Sequence, residues 1–198
     1  MFFYYISRFV IEVILRFIFF FRLKVTGRES FPKKGPFLII ANHLSYLDPL
    51  VVGISCPRRI VFLARQDLFN FWPLGAWMKA VGVIALKRDS ADLYALRRSL
   101  ESLKKGNCLA IFPEGRRIEN LSLSFKEIKR GFLLLAKKAQ VPIIVAKIYG
   151  TQEALSKSSK WIKFATKICV NFSQPLFIAK DEDYDTALKR FDEVVSKL

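Results

Sequence analysis

Short runs of apolar residues alternate along the chain with longer stretches in which apolar positions recur every three or four residues. The runs at 37–41, 60–64, 83–86, 108–112, 143–148 and 168–172 predict β-strands, and 23–27 predicts a further strand at a sheet edge. Several of these runs are apolar throughout rather than alternating, which suits strands covered on both faces. Helical periodicity predicts helices over 49–54, 72–79, 91–104, 125–138 and 185–197. Strand and helix take turns, so the expected class is α/β, a layered and largely parallel β-sheet flanked by helices. The lysine-rich stretch at 156–163 reads as a surface loop, and no internal repeat or low-complexity tract interrupts the pattern.

The first 21 residues break this rhythm. Seven of them are phenylalanine, and Arg8, Glu12 and Arg16 recur at a spacing of four, along one face of a helix. Everything around that stripe is apolar. The pattern predicts an amphipathic helix lying in or dipping into a bilayer, its charged stripe turned to headgroups or protein. The three charges make a full span costly, and they also interrupt the core that a secretory signal needs. Arg22 and Lys24 follow at once, placed to meet anionic lipid. The expected organisation is a membrane-anchoring helix at 1–22 and an α/β domain at 23–198.

A chain of 198 residues is long enough for one domain with a real core. Lys and Arg outnumber Asp and Glu by 33 to 17, a net charge of +16, which favours anionic partners. Nucleic acid is one such partner, but a phenylalanine-rich terminus fits it poorly, and an anionic membrane surface or an acidic carrier fits better. Cys56, Cys108 and Cys169 are scattered and odd in number, which predicts reduced thiols rather than a disulfide framework or a zinc site. The single histidine in the chain also argues against most metal enzymes.

That histidine is His43, directly after the strand at 37–41, and Asp48 follows it after four intervening residues. Two readings fit. Imidazole suits proton transfer near neutral pH, and a carboxylate beside it fixes its tautomer and stabilises the imidazolium. Alternatively, Asp48-Pro49 is a helix start, with aspartate as N-cap and proline in the first turn. Ligands of parallel sheets bind beyond the carboxyl ends of the strands. Those ends carry His43 and Asp48, then Lys87 and Arg88, then Pro113-Glu114-Gly115-Arg116-Arg117. A base with its acid, cations and a glycine turn suit a phosphate-bearing substrate with a reacting hydroxyl.

In order along 25–150, four blocks of residues resemble the glycerolipid acyltransferases, within them the 1-acylglycerol-3-phosphate (lysophosphatidic acid) acyltransferases. Asn42, His43, Ser45 and Asp48 match the His-four-residues-Asp block. Gly82 and Arg88 match the second, and Phe112, Pro113, Glu114, Gly115 and Arg117 the third. Val141, Pro142, Ile143 and Ile144 match the fourth, and Arg65 stands where the family usually has lysine. Arg116, Ile118 and Ala85 depart from the family's threonine, serine and aromatic residue.

The resemblance implies transfer of a fatty acyl group from acyl-CoA or acyl-carrier protein to the hydroxyl of lysophosphatidic acid, giving phosphatidic acid. No metal or cofactor beyond the donor is implied. His43 would be the base and Asp48 its orienting acid; Arg88 and Arg117 would bind the phosphate. Glu114, Gly115, Arg65, Asn42 and Ser45 would complete the substrate-binding side. The implied location is the cell membrane, peripheral or monotopic, with the site facing the cytoplasm.

Overall fold

β2 (Leu38–Ala41) is apolar and fully buried at every position because both its faces are covered. Ile39 and Ala41 enter one hydrophobic cluster, together with Val51, Val52 and Phe172. Leu38 and Ile40 enter a second on the opposite face, together with Phe132, Leu133 and Phe191. This alternation is what two helical layers over one sheet require. The structure, a computed structural model, describes residues 2–18, 22–87, 93–118, 131–156, 161–163 and 165–198.

Among the described residues the sheet has seven strands: β1 (Leu23–Thr26), β2, β3 (Ile60–Arg65), β4 (Ile84–Leu86), β5 (Cys108–Ile111), β6 (Ile143–Tyr149) and β7 (Ile168–Phe172). Their order is β1-β7-β6-β2-β5-β3-β4. All neighbours are parallel except β6 and β7. Every strand expected from the apolar runs is present, and 23–27 forms the edge strand. The helices are α1 (Phe2–Ile18), α2 (Asp48–Ser55), α3 (Leu74–Val81), α4 (Leu93–Lys104), α5 (Gly131–Ala139), α6 (Thr151–Ala154) and α7 (Tyr184–Ser196). α1 packs on α2 and α3, while α4, α5 and α7 gather on the other face.

Differences from the expected helices have local causes. The helix expected at 72–79 starts at Leu74, with Pro73 at its N-cap position. α6 is a single turn, too short to leave a periodic signature. It starts after Gly150, whose φ is 83° and where a Cβ would come within 2.1 Å of the Lys167 carbonyl oxygen, so only glycine fits. Residues 91–92 and 125–130 of two expected helices, and 157–160 of the expected loop, lie outside the described residues.

α1 buries the stripe Tyr4, Arg8, Ile11 and Leu15 against the domain. Arg16 and Glu12 pair at 2.9 Å, as the spacing predicts. Arg8 does not extend that ladder: its guanidinium donates to the Ile54 carbonyl at 3.1 Å, at the far end of α2.

The carboxyl end of β2 is tied to β6 by a side chain. Asn42, fully buried, donates through Nδ2 to the Ile148 carbonyl at 2.9 Å and accepts from the Ile148 N–H at 2.7 Å. Its amide thus prolongs the β2–β6 ladder as a peptide would. Replacing Asn42 with alanine strands both Ile148 groups in the interior, and the expected cost is about 2–4 kcal/mol. Denaturant unfolding of Asn42→Ala checks this; a loss below about 0.5 kcal/mol contradicts the tie.

Candidate active site

β2 and β5 are adjacent and parallel, with Ile40 opposite Ile111, so their carboxyl ends open on the same side of the sheet. The turn after β2 carries His43, and the turn after β5 carries 112–118. From β2 the chain crosses to β3 on one side, while β5 returns through α5 to β6 on the other. Such a reversal leaves a crevice at the strand ends.

Asp48 opens α2, but its side chain does not cap that helix; the N-cap position is Leu47, with no side-chain cap. The carboxylate turns back instead. Its Oδ2 accepts the Leu44 N–H at 2.6 Å, the Ser45 N–H at 2.7 Å and His43 Nδ1 at 2.9 Å. Asp48 is fully buried and His43 partly exposed. Because a carboxylate only accepts, Nδ1 carries the proton, which leaves the Nε2 lone pair free to take another. The aspartate starts the helix, yet its Oδ2 is spent on the imidazole and its turn.

Several contacts fix the ring. It stacks on Phe112, with centroids 4.4 Å apart and planes inclined by 30°, and Phe62 of β3 lies 6.5 Å beyond Phe112. The His43 carbonyl accepts the Ile118 N–H at 2.8 Å, stitching the two turns together. Ile118, one of the departures from the family pattern, is buried and makes this contact through its backbone. Gly115 has φ 64° and donates to the Phe112 carbonyl at 3.1 Å, a tight turn that a side chain would strain.

Within this turn Glu114 is buried, whereas Gly115 and Arg116 face solvent. Arg117 lies over the Tyr46 ring at 3.5 Å, a close cation–π contact. Its Nη1 is buried with no hydrogen-bond partner among the described residues. Tyr46 was not singled out from the sequence. Its only sequence signal is an aromatic inside the His-to-Asp turn, and the stack is visible only once the two turns are brought together.

The other expected site residues separate into three groups. Asn42 and Ser45 are fully buried and serve the backbone: Asn42 holds Ile148, and Ser45 Oγ donates to the Leu155 carbonyl at 2.8 Å and accepts the Leu47 N–H at 3.2 Å. They build the frame of the turn rather than a surface open to substrate. Arg65 ends β3 and is engaged by Asp67, with Nε donating at 3.0 Å. Arg88 lies outside the described residues, and Lys87 is exposed at the end of β4.

Cys56 and Cys108 do not compete for the role of nucleophile. Cys56 is fully buried, and burial pushes its thiol up to about 12; Cys108 is raised for the same reason.

A family model described as Acyltransferase matches residues 22–148, from before β1 to within β6. The chloroplastic 1-acyl-sn-glycerol-3-phosphate acyltransferase of Brassica napus is 27% identical over 164 residues, covering 81% of this chain and 47% of that protein. The enzyme of that name from Saccharomyces cerevisiae is 32% identical over 137 residues, covering 68% and 45%. This chain thus spans about half the length of these curated relatives. The crystal structure of the 1-acyl-sn-glycerophosphate acyltransferase PlsC from Thermotoga maritima superposes with a TM-score of 0.69 at 25% identity, over 90% of this chain and 71% of that one. With the matched region holding both turns of the site, the chain belongs to the Acyltransferase family.

Proposed function

We propose that the chain is a membrane-associated O-acyltransferase that moves a fatty acyl group from an acyl-CoA or acyl-carrier-protein thioester to the free hydroxyl of 1-acylglycerol-3-phosphate. The product is phosphatidic acid. The observation that carries this reading is the His43–Asp48 pair, with one carboxylate oxygen accepting the imidazole and two backbone N–H groups. The names of the relatives supply the substrate class.

In this mechanism Nε2 takes the proton of the acceptor hydroxyl as that oxygen attacks the thioester carbonyl. Asp48 holds the ring and balances the imidazolium that forms. The new C–O bond forms as the C–S bond breaks, and the imidazolium proton goes to the departing thiolate. The hydroxyl is itself the nucleophile, so no acyl-enzyme is needed. Arg117, whose buried Nη1 has no hydrogen-bond partner among the described residues, offers a charge-assisted hydrogen bond to the acceptor phosphate, and Arg88 is assigned the same partner. Backbone N–H groups beside Gly115, whose own N–H is held by the Phe112 carbonyl, are assigned to stabilising the oxyanion.

The membrane part of the proposal rests on α1. Phe2, Phe9, Val13 and Phe17 stay exposed on the side turned away from the domain, and Trp72 before α3 is 86% exposed. Among the described residues no helix is long and apolar enough to cross a membrane. A helix of this kind, on a chain of charge +16, lies in an anionic surface with its apolar face in the acyl boundary. The surface is assigned to the cytoplasmic side, where anionic lipids and both donors are found.

Three outcomes are expected. His43→Ala loses turnover by at least about a hundredfold while keeping its fold, as removal of a general base does; thioester consumption at the wild-type rate rejects the base. Arg117→Ala raises KM for lysophosphatidic acid roughly tenfold or more, with less effect on an acceptor that lacks the phosphate. An equal loss on both acceptors separates Arg117 from phosphate binding. Phe9→Glu with Phe17→Glu weakens flotation with anionic liposomes, and unchanged flotation removes α1 from the membrane contact.

A further inference from the structure

α2 has chemistry at both ends. Its first residue, Asp48, holds His43. Its last turn presents carbonyls that have no partner within the helix, as every helix C-terminus does. Two arginines from separate elements take them. Arg8 of α1 donates to the Ile54 carbonyl at 3.1 Å. Arg28, from the 3-10 turn Arg28–Ser30 after β1, donates to Ser55 at 2.7 Å through Nε and to Ile54 at 3.0 Å through Nη2. Guanidinium groups at this end also favour the helix dipole.

We propose that Arg8 and Arg28 are positioning residues for the acyl transfer: they clamp the back of α2, and through it set the place of Asp48 and His43. This rests on the reading of His43 as the base. α2 has eight residues and spans about 12 Å, too short to absorb a shift within itself. A displacement at Ile54 and Ser55 therefore reaches Asp48, whose three bonds to Oδ2 are all between 2.6 and 2.9 Å. Displacements near 1 Å at a reacting group cost up to about a hundredfold in rate.

The clamp joins α1 to the site. α1 is seated on the domain at three further points: the Tyr4 hydroxyl accepts the Ile60 N–H at 3.0 Å, Arg59 lies over the Tyr4 ring at 5.2 Å, and Leu15 enters the core beneath. The helix whose outer face is assigned to the membrane thus reaches with its inner face to the helix that orients the base. Arg8 bonds Ile54 separately from the neighbouring Glu12–Arg16 pair.

The single histidine makes the test direct. In the full chain, labelled with 15N-histidine and held in anionic nanodiscs, every imidazole signal belongs to His43. Arg8→Gln and Arg28→Gln are expected to shift or broaden the Nδ1–H resonance. They should lower kcat about tenfold, with KM for the acceptor within about twofold and flotation unchanged. Arg8→Lys keeps a donor for Ile54 and is expected to recover most of both readouts. It also serves if the glutamine variant fails to fold, since it should still shift the resonance slightly. Arg16→Gln, at an exposed position whose printed contact is with Glu12, is expected to match the wild type. Wild-type imidazole signals and kcat in the Arg8 and Arg28 variants overturn the clamp, as does a kcat loss that follows flotation or appears equally in Arg16→Gln. If His43→Ala retains turnover, the reading of the base fails, and the imidazole resonance still decides the clamp.

Discussion

One carboxylate oxygen organises this protein's candidate site. Asp48 Oδ2 accepts three donors, two from the backbone of Leu44 and Ser45 and one from the His43 ring. The backbone pair alone would fold the turn. Adding the ring converts a structural turn into a chemical one, because it fixes which nitrogen carries the proton and which presents a lone pair. The carboxylate is fully buried, and a buried charge is tolerated only when it is well bonded. Shape and chemistry at this position therefore depend on the same three bonds.

The rest of the fold delivers partners to that oxygen. Parallel pairing of β2 with β5 brings the Phe112 ring and the Gly115 turn to His43, and the Ile118 N–H closes the seam. Asn42 fastens the end of β2 to β6, and Ser45 fastens the turn to the end of α6. Arg8 and Arg28 hold α2 from behind. The turn is thus restrained by the sheet, by the neighbouring loop and by helices on the α1 side. Such restraint is what a reacting group needs if it is to stay within a fraction of an ångström of its working position.

Much of the architecture is legible in the chain because the central strands are covered on both faces, which leaves continuous apolar runs such as Leu38–Ala41. The pairing of His43 with Asp48 is legible as a spacing, though the same residues also read as a helix start, and only the direction of the Asp48 side chain separates the two. What sequence spacing misses is long-range. Arg8 reads as a rung of a local ladder with Glu12, but its partner lies 46 positions away at Ile54. Asn42 reads as a site residue, while its partner Ile148, 106 positions on, makes it part of the sheet. The Arg117–Tyr46 stack joins two turns that only the β2–β5 pairing brings together. Local periodicity records burial well, but it does not record which distant carbonyl or ring a cation will meet.

If His43 is the base, its Nε2 faces the hydroxyl that is acylated. A crystal structure with 1-acylglycerol-3-phosphate bound measures this most directly. The free hydroxyl oxygen is expected at about 3 Å from Nε2, with the phosphate against Arg117. An acceptor hydroxyl bound away from the imidazole, with Nε2 facing only protein, would contradict it.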